Sequence, residues 1–309
     1  VIGALRFTSH SGGFIALEKG YFKKAGLDVE FKFFQSAQPI AVAVVSGDVD
    51  FGIAGITGGL MNLAAKDAVK VVAGVLHEKK GVDGMMIIAS KKAYDAGLTS
   101  VSKLPGHSVA LTQIGSTFHY MSARIAEKSG FPLSDLKLIP LQKVGSMIGA
   151  IKSGQVDSMI MVPHISKPLI KAGAAVMLGW LYDYAEYQIS ALFTSTKNTQ
   201  KRRKMVKSFV EAYAMGIADF NNVMLNPKAS KAAVEDMTKT IHKYVYTTRP
   251  YAKAAPSIQK GAMNLNEGAR LNLKDVEQQM KWFQKAGLVS SSLTLEQLVD
   301  TGFAENYQN

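Results

Sequence analysis

The phrase Ser46-Gly47-Asp48-Val49-Asp50 returns as Ser153-Gly154-Gln155-Val156-Asp157, an offset of 107 residues from Ser46 to Ser153. Each copy follows a strand signal and a helix of small apolar residues, 29–33 then 38–45 in the first case and 136–141 then 144–152 in the second. Each also leads into an apolar strand, 51–54 or 159–162. Gly47 suits the left-handed position that closes a helix. An offset this long is not a solenoid period; it predicts two lobes built from the same unit. Around the first copy, strands are expected at 5–8, 29–33, 49–54 and 69–76, with helices at 13–20, 38–46 and 58–66 between them. Val29, Phe31 and Phe33 alternate with Glu30 and Lys32, the period of two expected of a strand. Strands alternating with helices predict an α/β fold of βαβ units, each lobe a mixed, mainly parallel sheet flanked by helices.

At 309 residues the chain has the length of about two domains. A composition 47% hydrophobic and 19% charged supports a packed core in each and argues against disorder. The longest apolar runs, 69–76 and 158–162, fall far short of the ~20 residues a membrane-spanning helix needs. Lys and Arg outnumber Asp and Glu by 36 to 24, for a net charge of +12, which raises nucleic acid as a partner. Most of these cations are dispersed lysines, however. The densest cluster, Lys201-Arg202-Arg203-Lys204, heads an apparent helix without an aromatic platform, so it reads as solvated surface and no nucleic acid is expected. The absence of Cys excludes thiol catalysis, Cys-zinc sites and disulfides. It also agrees with export to an oxidising compartment. The sequence opens Val1-Ile2-Gly3 with no initiator Met, which fits either a removed targeting segment or a trimmed chain.

From residue 200 the pattern turns helical. Residues 200–225 read as one long helix, with Phe209, Val210, Tyr213, Ile217 and Phe220 at helical spacing and Asn226-Pro227 ending it. Helices at 228–240, 256–267, 274–286 and 294–299 are expected to follow.

The order of these pieces resembles a known family. They run from Leu17-Glu18-Lys19-Gly20-Tyr21-Phe22-Lys23-Lys24-Ala25-Gly26-Leu27-Asp28-Val29-Glu30 through the first copy of the echoed phrase with Phe51-Gly52. Leu104-Pro105-Gly106-His107-Ser108-Val109-Ala110, Gly115-Ser116-Thr117, the second copy and Ala286-Gly287-Leu288-Val289 complete the series. Together they resemble the periplasmic solute-binding proteins of the sulfonate, taurine, nitrate and thiamine-pyrimidine type, which serve ABC importers. The resemblance implies a two-lobed type II periplasmic-binding-protein fold with two hinge crossings, near 85–89 and 188–194, and a ligand cleft between the lobes. It divides the chain into 1–84 plus 189–309 and 85–188. It also implies a periplasmic, monomeric, non-catalytic receptor with no cofactor, which passes a small molecule to an ABC transporter permease.

Candidate ligand-binding residues follow strand ends, where ligands of such sheets bind. Gly115, Ser116, Thr117 and His119 lie after a strand at 108–111 and open a helix closed by Gly130. Free amides and the helix dipole favour an anion there, although every helix needs a cap and hydroxyls alone do not mark a site. The resemblance tips this turn towards a ligand contact. Ser9, His10, Ser11 and Gly12 hold the equivalent turn of the first lobe, against the alternative of a plain capping loop. Ile56 and Thr57 head another helix, against simple packing. His77 and His164 each end a strand. His10, His77, His119 and His164 raise a metal centre, but no pair has the helical spacing of a zincin, so none is expected. The family carries an acidic or aromatic residue where His164 stands, a departure that bears on ligand class. Tyr184, in the run Trp180-Leu181-Tyr182-Asp183-Tyr184, is expected on an aromatic wall, against hinge packing for Tyr182 and Tyr187.

An enzyme of the same architecture, acting on a small heterocyclic or aromatic metabolite as the resemblance to thiamine-pyrimidine and menaquinone pathway enzymes implies, is the rival, with His10 or His119 as general base. The sequence carries no nucleophile elbow, no phosphate loop and no Cys-rich motif of the thiamine-pyrimidine synthase type. A sensor domain is a third class, disfavoured by the lack of an appended module. The helix-end amides and the excess positive charge favour an anion or zwitterion, such as a sulfonate or an aromatic carboxylate, as ligand, and a neutral heterocycle such as a pyrimidine stays open. Arg124 lies along its helix and Arg202, Arg203, Arg249 and Arg270 in the tail, so no bidentate arginine clamp is expected.

Overall fold

The computed structural model describes residues 1–307. Its principal strands are β1 (Ile2–Ala4), β2 (Phe31–Phe33), β3 (Phe51–Gly55), β4 (Val69–His77), β5 (Met86–Ser90), β6 (Ser108–Leu111), β7 (Lys137–Pro140), β8 (Ser158–Met161), β9 (Ala175–Trp180) and β10 (Gln188–Ser195). The chain falls into two compact units, residues 1–77 with 187 onward, and residues 78–186. Among the described residues no helix is long and apolar enough to cross a membrane.

The first unit holds a sheet of order β2-β1-β3-β10-β4, in which β1 runs parallel to β2 and β3 while β10 runs antiparallel to β3 and β4. The second holds a sheet of order β7-β6-β8-β5-β9, with β6 parallel to β7 and β8 and β5 antiparallel to β8 and β9. The two orders are the same. One antiparallel strand takes fourth place in each, β10 in the first unit and β5 in the second. The segments 85–89 and 188–194, expected as crossings, are therefore interior strands, and the chain changes unit at 77/78 and 186/187.

The echoed phrase has one physical meaning in both places. Ser46 Oγ donates to Ala43 O and Ser153 Oγ to Ala150 O, each at 3.2 Å, at the ends of helices Ala37–Ser46 and Val144–Ser153. Gly47 (φ 83°) and Gly154 (φ 70°) then close the two helices in the left-handed region.

Several elements differ from the sequence expectation. β1 ends at Ala4 because the amide of Leu5 turns to His10 Nδ1 instead of a neighbouring strand. The long helix expected from residue 200 is two, Thr196–Lys201 and Arg203–Met224. Pro256 lies inside helix Tyr251–Gln259 rather than at a helix start. Residues beyond it leave the helix because the edge of β4 captures them: Leu265 bridges Leu76, and Asn266 N donates to Val75 O.

The first unit packs around helix Arg203–Met224, whose buried Val206, Phe209, Val210, Tyr213, Ile217 and Phe220 form the expected stripe. The Phe209 ring stacks on Phe51 at 3.7 Å and on Phe22 at 4.9 Å. Helix Ser11–Glu18 crosses it so closely that a Cβ at Gly216 would run into Gly12 O. In the second unit Met86, Met159 and Met161 are buried in neighbouring strands and fill the core.

Candidate functional site

In the first unit β1, β2, β3 and β4 point the same way, so their carboxyl ends share one edge of the sheet. β1 leads into a 3-10 turn, Thr8–His10, and helix Ser11–Glu18; β3 leads through Ile56 and Thr57 into helix Gly58–Ala65. Because β1 and β3 are neighbours, Ser9, His10, Ser11 and Gly12 are brought to the same stretch of edge as Ile56 and Thr57. Thr57 Oγ1 caps its helix by accepting from Leu60 N at 3.0 Å and also bonds Gln38 Oε1. Ser11 Oγ is fully buried with no hydrogen-bond partner among the described residues. His77 stands apart, two strands away at the end of β4, and its Nε2 lies 3.1 Å from Asp275 Oδ2. Its ring is engaged in fastening the C-terminal helices rather than in the β1–β3 cluster.

The second unit repeats the arrangement. After β6, Gly115 turns at φ 81°, and Ser116 caps helix Thr117–Ser129 by accepting from His119 N. β8, beside β6, ends at helix Pro163–Lys171, which places the buried His164 next to that turn. Tyr184 lies beyond β9, on the far side of β5, where its ring and Val101 both pack close to Gly179. Trp180 and Tyr182 stack at 5.5 Å.

The two turns also share a histidine. His10 Nδ1 accepts from Leu5 N at 3.2 Å, and His119 Nδ1 accepts from Gly115 N at 3.1 Å. A ring nitrogen that accepts an amide carries no proton, so each imidazole is neutral with its proton on Nε2. Burial enforces this: desolvation pushes His10 down to about 3 and also lowers His119. Neither helix carries an acidic residue in its first turn, so the positive end of each dipole is not offset by the chain's own carboxylates.

Sequence reasoning passes over two residues at these ends. Arg6 lies just past β1; its guanidinium lies 3.8 Å over the Phe33 ring and donates to Tyr244 O at 2.8 Å. A lone cation in the apolar run 4–7 is the signal that could have revealed it. Gln38, reached through Thr57, opens the helix after β2 and shows only as an amide at a helix start. Among the described residues no group of three or more His, Asp or Glu side chains is arranged to hold a metal ion.

Two mixed sheets of the same strand order, each flanked by helices, define an α/β fold of the periplasmic-binding-protein kind. The structure resembles the alkanesulfonate-binding protein SsuA from Xanthomonas axonopodis pv. citri bound to MOPS, with a TM-score of 0.76 and 17% identity over 97% of this chain and 97% of that one. It resembles the periplasmic nitrate-binding protein NrtA from Synechocystis PCC 6803, with a TM-score of 0.70 and 15% identity over 96% of this chain and 83% of the other. A DszB mutant in complex with biphenyl-2-sulfinic acid matches with a TM-score of 0.59 and 13% identity, over 98% and 96% of the two chains. Comparison with curated proteins finds no match. Residues 7–229, well over half the sequence, match the NMT1/THI5-like family, and the chain belongs to that family.

Proposed function

We propose that this chain is an extracytoplasmic solute receptor. It takes up a small organic anion or zwitterion, a sulfonate or an aromatic carboxylate, at a turn that follows a strand's carboxyl end, and hands it to an ABC permease. The observation that carries this reading is the Gly115-Ser116-Thr117 turn, where a helix of 13 residues starts with a hydroxyl cap, a left-handed glycine and no acid in its first turn. Such a terminus favours an oxyanion. Ser9, His10, Ser11, Gly12, Ile56 and Thr57 are the candidate contacts of the first unit, His119 and His164 those of the second. Arg6 adds a cation beside β1. Neutral His10 contributes an Nε2–H donor without a charge that changes near neutral pH. MOPS is a sulfonate, and nitrate and the sulfinic acid are likewise oxyanions, which supports the same ligand class here.

The rival reading, a same-fold enzyme, needs a general base. A histidine held at about 3 is poorly matched to proton abstraction near pH 7. The test is calorimetric titration and thermal shift with alkanesulfonates, nitrate, aromatic acids and pyrimidines. At a hundredfold excess over Kd a true ligand adds about 2.7 kcal/mol of stability. An anion whose affinity falls at least tenfold in Ser116→Ala/Thr117→Ala supports the receptor reading. Binding of neutral pyrimidines alone, or turnover of the added molecule, overturns it.

A further inference from the structure

Lys201, Arg202, Arg203 and Lys204 are consecutive, and on an unbroken helix their side chains would fan over about 300°, since each residue turns by about 100°. The helix is broken. Thr196–Lys201 stops and Arg203–Met224 begins at Arg202, whose φ of −126° and ψ of 34° leave the helical region. The break brings all four residues onto the wall of one open groove of about 390 Å³, shared with Ala25, Leu27, Met205 and Ser208. An adjoining hollow, sharing Leu27, Arg202 and Met205, reaches Ile2 and Phe51, which begin β1 and β3. The groove therefore lies at the amino edge of the first unit's sheet, opposite the carboxyl edge that carries His10 and Thr57.

Charge in the groove is only half balanced. Arg202 Nη1 lies 3.1 Å from Asp50 Oδ1, and Arg203 forks onto Asp300 at 2.8 and 3.2 Å. Among the described residues Lys201 and Lys204 have no acidic partner within ion-pair distance, and Lys23 and Lys24 come just before Ala25. These cations stand at the amino end of the 22-residue helix, which has no side-chain cap and no acid in its first turn. The helix dipole opposes cations there, so the chain places charge against its own local preference, and a bound anion relieves both effects.

We propose that this groove is a second anion site, separate from the carboxyl-edge site, and that it takes a compact, multiply charged phosphate group. Leu27 and Met205 offer apolar contact to the carbon skeleton of a phosphate ester. Inorganic pyrophosphate is the probe, titrated calorimetrically into the whole protein in low salt and again in 200 mM salt, with the two unpaired lysines predicting a loss of affinity as salt rises. Lys201→Ala/Lys204→Ala is expected to weaken pyrophosphate at least tenfold with its melting temperature unchanged, because both lysines are exposed. Ser116→Ala/Thr117→Ala removes any pyrophosphate held at the carboxyl edge and is expected to keep the salt-sensitive equivalent that the lysine variant loses. Undiminished binding by the lysine variant, or loss of that equivalent in the Ser116/Thr117 variant, overturns the proposal. Flotation with phosphatidylglycerol vesicles separates a free phosphate from a lipid headgroup: capture by vesicles without any binding of pyrophosphate also overturns it.

Discussion

Asp157 Oδ2 accepts hydrogen bonds from Ser108 N and Ser108 Oγ, both at 2.8 Å, and so ties the approach to β8 to the start of β6. Asp157 is thus a strap between neighbouring parallel strands. Removing it in Asp157→Ala strands two donors, an expected loss of about 1–3 kcal/mol, towards the lower end because the side chain is 36% exposed. Burial alone would raise this carboxyl, but the Ser108 bonds and the His107 ring outweigh it and hold it below the usual 3.8. A depressed carboxylate stabilises above its unfolded pKa and loses that contribution as pH falls through the folded value. Acid unfolding followed by circular dichroism is expected to show a shallower acid limb in Asp157→Ala; an unchanged limb contradicts the strap.

Glu78 gives the opposite sign. It is 1% exposed, and both its oxygens accept from Met85 N, at 3.1 and 3.0 Å. Burial chiefly, with the Glu186 charge adding, pushes its carboxyl up to about 8 against the bonds from Met85 and Tyr182. The folded state keeps a proton that the unfolded chain releases near 4.5, so this contribution is full below that pH and is lost as pH rises through about 8. Glu78→Gln is expected to flatten the alkaline fall in melting temperature between pH 6 and 9. A parallel fall in parent and variant would show that another group causes it.

His10 acts at the acid side. Its unfolded value of 6.5 exceeds its folded value of about 3, so the unfolded chain binds the extra proton and stability declines as pH drops below 6.5. The ring resonances of folded His10 are expected to stay flat in a proton NMR titration from pH 8 to 5. A midpoint near 6.5 would mean a solvated imidazole and would break the parallel with His119.

Ser116 carries two separable effects. Ser116→Ala removes a helix cap, worth about 1 kcal/mol in thermal unfolding. Ser230→Ala removes the equivalent cap of helix Lys231–His242 and is expected to cost about as much. Only the first is expected to weaken the anion. Equal affinity in both variants would reduce the Ser116 turn to a capping role.

What the sequence makes legible is local. Gly47 and Gly154 announce their helix ends, because few residues other than glycine accept a left-handed backbone, and alternation at 29–33 announces β2. The strand ends then locate the turns at His10 and Ser116. What stays hidden depends on residues far apart in the chain. The pairing of His77 with Asp275 spans 198 residues, and the capture of Asn266 by β4 overrides a helical pattern. The break at Arg202 is equally silent, since lysine and arginine favour helix and give no stop signal. Arg6 escapes because the apolar signal puts it inside a strand at 5–8, whereas the strand has already ended at Ala4.

Native mass spectrometry of protein purified without refolding, with an alkanesulfonate added, tests the central claim most directly. The receptor account predicts one sulfonate per chain, released with its mass unchanged, and loss of that adduct in Ser116→Ala/Thr117→Ala. A released molecule of altered mass, or an adduct formed only with neutral heterocycles, would contradict it.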